Sequence, residues 1–357
     1  MNQMSVSQND IAKAAGVSQR AVSFALNGKS NVSQEKREKI LDVAQKLGYR
    51  INASARAMRK QSTGAIGVLV QHYNVGNTFL QGINHTFQQE GFHTIIEQFT
   101  SVLPLSDTPC RVVLENVVDG LIVINSDATI IDLIQNQFTN LMDQTVWLES
   151  SYFAPFNCIR RDEMSVCDLA VKQVSAAGFK RVVYVGYQEH AIDTDRLNKQ
   201  FDKNKPYFGG IHYSSYQRYA GIKAACAKYG LEFVPVGSGV HDVPLTPNQL
   251  AAYLKQASGI KSAVIPYDIL MTQWVFRQLA LVGMVCPRDY GLMSLDDMRT
   301  FQQQQFWPEL ARMTFDRVHA GELAAQMLLE MIQSKKQVKS INVTGQWVNG
   351  QTLDHDC

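Results

Sequence analysis

Apolar and polar positions follow a helical spacing in the first fifty residues. Apolar residues recur three or four positions apart there, which predicts short helices that each bury one face. The predicted helices cover residues 11–15, 19–26 and 34–47. Each ends at a helix-stopping residue, namely Gly16, Asn27-Gly28 and Gly48. Ser7 with Asp10 and Ser18 supply N-caps, and the tight Gly-Val-Ser turn predicts a helix-turn-helix.

From residue 64 onward, apolar runs alternate with helical stretches. The runs that predict strands are "AIGVLV", "HTIIEQF", "GLIVIN", "RVVYVGY", "SAVIPY" and "YGLMSL". Nearly continuous apolar strands separated by helices are typical of parallel sheets covered on both faces. The pattern therefore predicts a small all-α helix-turn-helix head followed by an α/β body.

Composition narrows the class of protein. A composition of 45% apolar and 18% charged residues is typical of a globular protein. A chain of 357 residues is too long for a single hydrophobic core, so we expect more than one domain. Without a membrane-length apolar run or a signal-peptide layout, we expect a cytoplasmic protein. The six cysteines are scattered, with no CxxC pair and no clustered histidines, so we expect no metal site. No motif for a cofactor or for catalysis is present either.

Charge is divided unevenly along the chain. Residues 1–60 contain 11 lysines and arginines but only four acidic residues, a net charge of +7. The whole chain carries +2, so the remainder carries −5. A basic head on a mildly acidic body predicts a module that binds a polyanion, joined to a body with a different task.

The segment "NASARAMRK" joins head and body. Asn52 is a suitable N-cap, and the alanines favour a helix. About nine residues are too few for a stable isolated helix, so this one should form only when it is supported. We therefore expect a DNA-binding domain over 1–51, a hinge helix and linker over 52–63, and an effector-binding and dimerisation domain over 64–357.

The start of the second helix carries the side chains suited to reading bases. In a helix-turn-helix the first residues of that helix face base edges. Arg20 suits guanine and Gln19 suits adenine. Phe24 is unusual on such a face. It either lies against a thymine methyl group or only packs on the head.

The chain resembles the LacI/GalR family of bacterial transcriptional repressors over its whole length. The resemblance is carried by "DIAKAAGVSQRAVSFALNG" in the head and by "VDGLIVI", "GFKRVVYVG" and "GMVCPRDYGLMSLDD" in the body. It implies a homodimer that places two heads on a pseudo-palindromic operator. It also implies a two-lobed, periplasmic-binding-protein-like body that crosses between lobes near 162 and 296.

The resemblance assigns further DNA contacts. It implies base reading by Gln19 and Arg20, with position 24 a further groove-facing site. It implies phosphate contacts from Ser18, Asn27 and Ser33. It places Asn52 and Ala55 at the start and groove face of the hinge helix. Met58 stands where the family usually has an intercalating leucine.

The same resemblance points to four effector-binding positions. These are Phe79, Asp162, Arg218 and Asp296. An arginine, carboxylates and an aromatic face suit a polar ring such as a sugar or a nucleobase. Each has an ordinary alternative: Phe79 as core, Asp162 as a cap, Asp296 as part of an ion pair and Arg218 as a surface residue.

Departures from the family pattern leave the ligand open. Tyr267-Asp268 replaces a frequent Asn-Asp pair, and Ser294-Leu295 replaces the usual glycine and aromatic residue. The leading hypothesis is an allosteric DNA-binding repressor whose operator affinity responds to a small polar ligand, with a sugar expected first. One alternative is a DNA-binding dimer with a vestigial or non-sugar pocket, such as a purine site. The other is an enzyme with a regulatory DNA-binding head.

Overall fold

The structure is a computed structural model that divides into two compact units. The units are Met1–Thr63 and Gly64–Cys357. It describes residues 6–26, 30–49, 62–71, 73–99, 113, 118–126, 128–186, 212–237, 245–255, 260–297 and 309–354. The first unit contains the head, and the second is the body.

The head contains three short helices, as predicted. They are α1 (Gln8–Ala15), α2 (Gln19–Leu26) and α3 (Gln34–Lys46). The side chains of Ser7 and Asp10 form a reciprocal capping box at the start of α1. Gly16 ends α1 with a φ of 69°, a left-handed conformation that glycine adopts without steric cost. The helix-turn-helix prediction is therefore confirmed.

One buried stripe from each helix forms the core of the head. Its members are Ile11, Ala12, Ala15, Val22, Ala25, Ile40 and Ala44. They follow the three-and-four spacing seen in the sequence, because residues so spaced lie on one helix face. The opposite face of α2 is left available for contacts outside the head.

The body is built from twelve strands among the described residues. They are β1 (Ala65–Val70), β2 (His93–Gln98), β3 (Gly120–Ile124), β4 (Thr145–Leu148), β5 (Cys158–Arg161), β6 (Arg181–Gly186), β7 (Glu232–Gly237), β8 (Ser262–Pro266), β9 (Gly291–Ser294), β10 (Ala311–Thr314), β11 (Ile341–Val343) and β12 (Gln346–Val348). β1, β3, β6 and β8 are buried at every position, which explains why they read as continuous apolar runs.

Helices cover these strands. They are α4 (Tyr73–Gln89), α5 (Ala128–Gln137), α6 (Thr139–Met142), α7 (Glu163–Ala176), α8 (Tyr213–Tyr229), α9 (Pro247–Lys255), α10 (Ile269–Leu281) and α11 (Arg317–Ser334). A short 3-10 helix, Gln351–Leu353, follows the last strand. Each sheet packs against two clusters of buried hydrophobic side chains, one on each face.

The strands form two six-stranded sheets, which define two lobes. The first lobe has the strand order β11-β5-β4-β3-β1-β2, and every neighbouring pair is parallel. The second has the order β12-β10-β9-β8-β6-β7, in which only β12 runs antiparallel to its neighbour. A two-lobed α/β body with parallel sheets is thus confirmed.

The chain passes between the lobes at points that only the sheet pairing reveals. It leaves the first lobe between Arg161 and Glu163, as β5 ends and α7 begins. The crossing expected near 296 is wrong, because β10 joins the sheet of the second lobe after that point. The chain returns just before Arg317, and α11 then packs on α4 in the first lobe. It crosses again between β11 and β12.

Candidate functional site

The first turn of α2 is exposed on the head. Ser18, Gln19 and Arg20 are all exposed, and the opposite face of the helix packs in the core. The Ser18 hydroxyl accepts a hydrogen bond from the backbone N–H of Ala21 at 3.2 Å, so Ser18 caps the helix. The turn therefore presents polar donors at the positive end of a helix, an arrangement suited to DNA.

Phe24 lies one turn beyond Arg20 on the same face of α2. The guanidinium carbon of Arg20 is 5.4 Å from the centre of the Phe24 ring, a cation–π contact. The Phe24 ring is half-buried. Beside this pair, the Gln19 amide donates a hydrogen bond to the Gln8 side chain at 3.0 Å. Phe24 is thus positioned to orient the arginine as well as to pack on the head.

Ser33 begins α3 but does not cap it through its side chain. It occupies the N-cap position, is exposed and makes no capping hydrogen bond. Ser33 therefore holds the N-cap position through its backbone oxygen, which accepts from the N–H of Arg37 at 2.9 Å. The remaining residues expected to contact DNA, namely Asn27, Asn52, Ala55 and Met58, lie outside the described residues.

Buried polar side chains gather where strands of the two lobes end. The group is Glu149, Arg161, Glu163, Arg218, Asp296, Asp297 and Arg317, which we call the interlobe cluster. Open α/β sheets bind ligands at the carboxyl ends of their strands. The cluster occupies this edge, and its members come from both lobes.

Arg218 is held by groups of the protein itself. It is 1% exposed, and its Nε and Nη2 donate to the two carboxylate oxygens of Glu163 at 2.8 and 2.9 Å. Its Nη1 donates to the backbone oxygen of Tyr267 at 2.5 Å, and the Tyr267 ring centre lies 4.8 Å from the guanidinium. Burial by itself lowers the pKa of Arg218, but Glu163 raises it above the ordinary value. Every guanidinium nitrogen thus has a protein partner.

Asp296 is equally engaged. Its Oδ2 accepts from Arg161 at 2.7 Å, and its Oδ1 accepts from Arg317 and from the backbone N–H of Asp297. Burial by itself raises the pKa of Asp296, but the three neighbouring guanidinium groups lower it below the ordinary value. The carboxylate therefore stays ionised within the cluster.

Glu149 and Arg161 link the two lobes from the first-lobe side. Nε of Arg161 lies 2.5 Å from Oε2 of Glu149. Burial raises the pKa of Glu149, although Arg161 opposes that change. Glu149 follows β4 with a φ of 49°, a left-handed conformation that is unusual for a residue other than glycine. Such backbone strain costs of order 1–3 kcal/mol and is common at functional sites.

His212 and its neighbours join the second lobe to Glu149. Nε2 of His212 is 3.0 Å from the backbone oxygen of Glu149. A carbonyl can only accept, so Nε2 carries the proton and Nδ1 accepts from the Ser214 hydroxyl at 2.7 Å. That hydroxyl in turn accepts from the hydroxyl of Tyr267 at 2.6 Å. The Tyr213 hydroxyl donates to Oε1 of Glu149 at 3.2 Å. The start of α8 therefore contacts both the backbone and the side chain of Glu149.

The lowered pKa of His212 predicts a pH dependence of stability. Burial lowers the pKa of His212 from 6.5 to about 4, so the unfolded chain binds a proton that the folded protein does not. Stability from this group is full above pH 6.5 and decreases as the pH falls towards 4, by up to about 1.4 kcal/mol per pH unit. The thermal midpoint of the wild type should therefore fall more steeply over this range than that of His212→Asn.

The His212→Asn variant keeps an N-cap side chain without a titrating ring. Comparing the two proteins separates the contribution of His212 to the pH dependence from that of Glu149. The raised pKa of Glu149 makes stability increase, rather than decrease, as the pH falls. Only the difference in slope is diagnostic, since the variant also loses the bond to the Glu149 backbone. Parallel midpoint profiles for the two proteins would show that His212 is not buried as a neutral ring.

Two of the four expected effector residues make none of the ion pairs of the cluster described here. Phe79 is 3% exposed and packs in the core of the first lobe with α11, which supports its ordinary alternative as a core residue. Asp162 caps α7, accepting from the backbone N–H and the hydroxyl of Ser165 at 3.1 and 2.8 Å. The ordinary alternatives, core and cap, describe their positions. Arg218 and Asp296 do come together in the cluster, with their closest nitrogen and oxygen 3.8 Å apart.

Sequence reasoning missed several members of the cluster. Arg161 and Glu163 belong to the run "RRDE", four consecutive charged residues that begin within the mostly buried strand β5, which is a signal that could have found them. Glu149 and Arg317 have no comparable signal in the sequence. Their roles depend on neighbours that are distant along the chain.

Two kinds of feature are absent from the described residues. No group of three or more His, Cys, Asp or Glu side chains among them is arranged to hold a metal ion. None of the helices there is both long enough and apolar enough to cross a membrane. Cys158, Cys167, Cys226 and Cys286 are buried free thiols.

Two family models match this chain. The model described as "Bacterial regulatory proteins, lacI family" matches residues 8–52, which span the three helices of the head. The model described as "Periplasmic binding protein-like domain" matches residues 171–353, about half of the chain. The two matches together cover the head and much of the body.

Relatives and a solved structure agree with these matches. The HTH-type transcriptional regulator RegA of Clostridium saccharobutylicum is 25% identical, covering 93% of this chain and 94% of its own. The HTH-type transcriptional repressor PurR of Vibrio campbellii is 24% identical, covering 93% of each chain. A crystal structure of the lac repressor dimer bound to operator and an anti-inducer has a TM-score of 0.72 at 19% identity. That match covers 98% of this chain and 99% of the other.

Proposed function

Because the chain belongs to the LacI family of bacterial regulatory proteins, we propose that it represses transcription as a homodimer on a pseudo-palindromic operator. Each head reads one half-site, and a small polar ligand between the lobes alters operator affinity. The relatives are regulators of transcription, so we propose that the chain acts by binding rather than by catalysis. Its place of action is then the cytoplasm, with the DNA.

The exposed first turn of α2 supports this proposal best. Arg20 and Gln19 stand at the position from which a helix-turn-helix reads bases, within an N-terminal segment, residues 1–60, whose net charge is +7. Ser18 and Ser33 are exposed at helix starts, where phosphate contacts are favourable. We include Asn27, Asn52, Ala55 and Met58 in the proposed DNA surface on the resemblance alone.

Phe24 refines the proposed base reading. Its ring holds the Arg20 guanidinium over one face, which limits the positions that the arginine samples before DNA arrives. We propose that this preorganisation strengthens the contact of Arg20 with guanine. A methyl contact from Phe24 to thymine remains compatible with it.

The DNA-binding proposal predicts distinct effects for three variants. Arg20→Ala should weaken specific binding by about 1–3 kcal/mol per half-site and relax base preference at one position. Phe24→Leu should weaken the same base preference by a smaller amount, because it removes the ring from beside Arg20. Lys46→Ala removes an exposed charge from α3 and is the matched control. It should change affinity equally for all sequences. Affinity for a selected operator and its single-base variants, measured at several salt concentrations, gives these values.

Two results would contradict the proposal. Equal affinity for all DNA sequences in the wild type would mean that the head does not read bases. If Phe24→Leu lowers protein stability but leaves base preference at the Arg20 position unchanged, Phe24 only packs on the head.

The charged residues between the lobes support a ligand-responsive body, but their pairing limits the chemical class of ligand that could bind there. A sugar would need the arginine and the acid to hydrogen-bond its hydroxyl groups. Arg218 and Asp296 are instead bonded to the protein's own side chains. This pairing favours the alternative of a pocket that takes no neutral sugar.

A further inference from the structure

The guanidinium of Arg161 lies at the centre of the interlobe cluster. Arg161 ends β5, directly before the chain crosses to the second lobe, and its side chain is 13% exposed. Its three nitrogens each approach a different carboxylate. Nε is 2.5 Å from Glu149, Nη1 is 2.7 Å from Asp296 and Nη2 is 3.2 Å from Glu163. One carboxylate belongs to the first lobe and two belong to the second.

An aromatic ring completes the surroundings of Arg161. The guanidinium carbon is 4.9 Å from the centre of the Phe315 ring. Three carboxylates and one aromatic face are the chemistry with which proteins recognise a cationic ligand. Here the cation is supplied by the chain itself.

Charge balance explains why this cation is needed. The cluster contains three guanidinium groups and four carboxylates, and His212 beside it is neutral because burial lowers its pKa. Without Arg161, Glu149 would lose the guanidinium that pairs with it among the described residues, whereas Asp296 would keep Arg317. Buried carboxylates without a partner are costly, so Arg161 stabilises the contact between the lobes.

We propose that Arg161 is a built-in occupant of the ligand cleft, holding the two lobes together in the absence of an effector. The inference rests on the proposed function, since it concerns regulation of the same cleft. An effector that binds there displaces the Arg161 guanidinium from Glu149 and Asp296. It must therefore bring a guanidinium or ammonium group of its own, which a neutral sugar lacks.

Removing the built-in cation provides the test. In full-length Arg161→Ala, the thermal midpoint should fall by roughly 5–10 °C, because buried carboxylates lose their partner. Guanidinium chloride should restore at least half of that loss, with half-maximal effect on the order of millimolar for so small a ligand. Sodium chloride at equal concentration should not restore it.

Arg160→Ala is the matched control. Arg160 is the preceding residue on β5, is also buried, and lies with its guanidinium 4.0 Å from the Phe153 ring centre, outside the cluster. Millimolar guanidinium should leave the midpoints of this variant and of the wild type unchanged. Guanidinium stabilisation of all three proteins alike, or of none, would overturn the proposal.

Two further measurements keep the proposal testable if Arg161→Ala does not fold. Arg161→Lys keeps the charge but cannot reach three carboxylates at once, so its midpoint should be lower than that of the wild type. A midpoint equal to the wild type, or a wild type stabilised by a neutral sugar, would overturn the inference. Operator affinity of the wild type is measured separately. Its absence would overturn the proposed function while leaving the guanidinium result intact.

Discussion

Gly82→Ala is expected to destabilise the body by about 3 kcal/mol, the upper end of the usual cost of overpacking. A Cβ at Gly82 would lie well inside 3.0 Å of the backbone oxygen of Val318 and 2.8 Å from the backbone nitrogen of Glu322. Neither atom can rotate away, because both belong to the backbone of α11. The helices α4 and α11 would have to separate.

A second glycine, on α11, lies equally close to the backbone of α4. A Cβ at Gly321 on α11 would meet the backbone oxygen of Phe79 on α4 at a similarly short distance. The two helices therefore cross at a pair of glycines, with the core of the first lobe packed beside them. The crossing fixes α11, which begins at Arg317 and so positions one arginine of the interlobe cluster.

The sign of the Gly82 effect separates two explanations. Helix propensity alone predicts that alanine stabilises α4 by up to about 1 kcal/mol. Close helix packing predicts the opposite change. Gln88→Ala, on an exposed position of the same helix, should alter the free energy of unfolding by less than about 0.5 kcal/mol. Urea unfolding of both variants decides the matter, and a stabilised Gly82→Ala would refute the crossing.

Glu163→Gln is expected to lower the free energy of unfolding by about 3–5 kcal/mol, because it leaves a buried charge without its partner. Glu163 is fully buried and accepts the bonds from Nε and Nη2 of Arg218 at 2.8 and 2.9 Å. Glutamine keeps the size of the side chain but offers one oxygen and an amide donor. The amide would therefore face a guanidinium that can only donate.

An exposed ion pair on the same helix supplies the control. Asp168 on α7 bonds to Lys228 at 2.7 Å, with 39% of its side chain exposed. Asp168→Asn should cost at most about 1 kcal/mol, the range for surface pairs. Equal losses for Asp168→Asn and Glu163→Gln in urea unfolding would show that burial does not strengthen the Glu163 contact.

A double variant tests the same pair in the other direction. Glu163→Met combined with Arg218→Met removes both charges and fills similar volume. It should be more stable than either single variant, since neither partner is left alone. Additive losses would mean that the two residues stabilise the body independently. The double variant also removes the contact between Glu163 and Arg161, which makes the recovery incomplete.

The long apolar runs of β1, β3, β6 and β8 were predictable because these strands are buried on both faces. "AIGVLV" coincides with β1, and "SAVIP" with β8. "TVWL" and "CIRR", which form β4 and β5, are only four residues long and carry no clear periodicity. They become strands through their neighbours, since β4 pairs with both β3 and β5. Strand pairing of this kind is non-local and leaves little trace in a short segment.

The candidate site divides in the same way. The surface of α2 could be predicted, because helix caps and spacing fix which residues lie on one face. Between the lobes, the resemblance identified Arg218 and Asp296 but not the side chains that pair with them. Phe79 and Asp162 showed that a matching position does not establish which way a side chain points.

By itself, the sequence determined the local features of this protein: the capping box at Ser7, the stop at Gly16, the buried strands and the basic head. These depend on residues within a few positions of one another. Only the tertiary structure decided the crossings between lobes and the partners of each buried charge. Arg161 and Asp296 are 135 positions apart in the chain but bond at 2.7 Å. A buried charge is stabilised by whatever lies near it in space, and the packing of two sheets sets that distance.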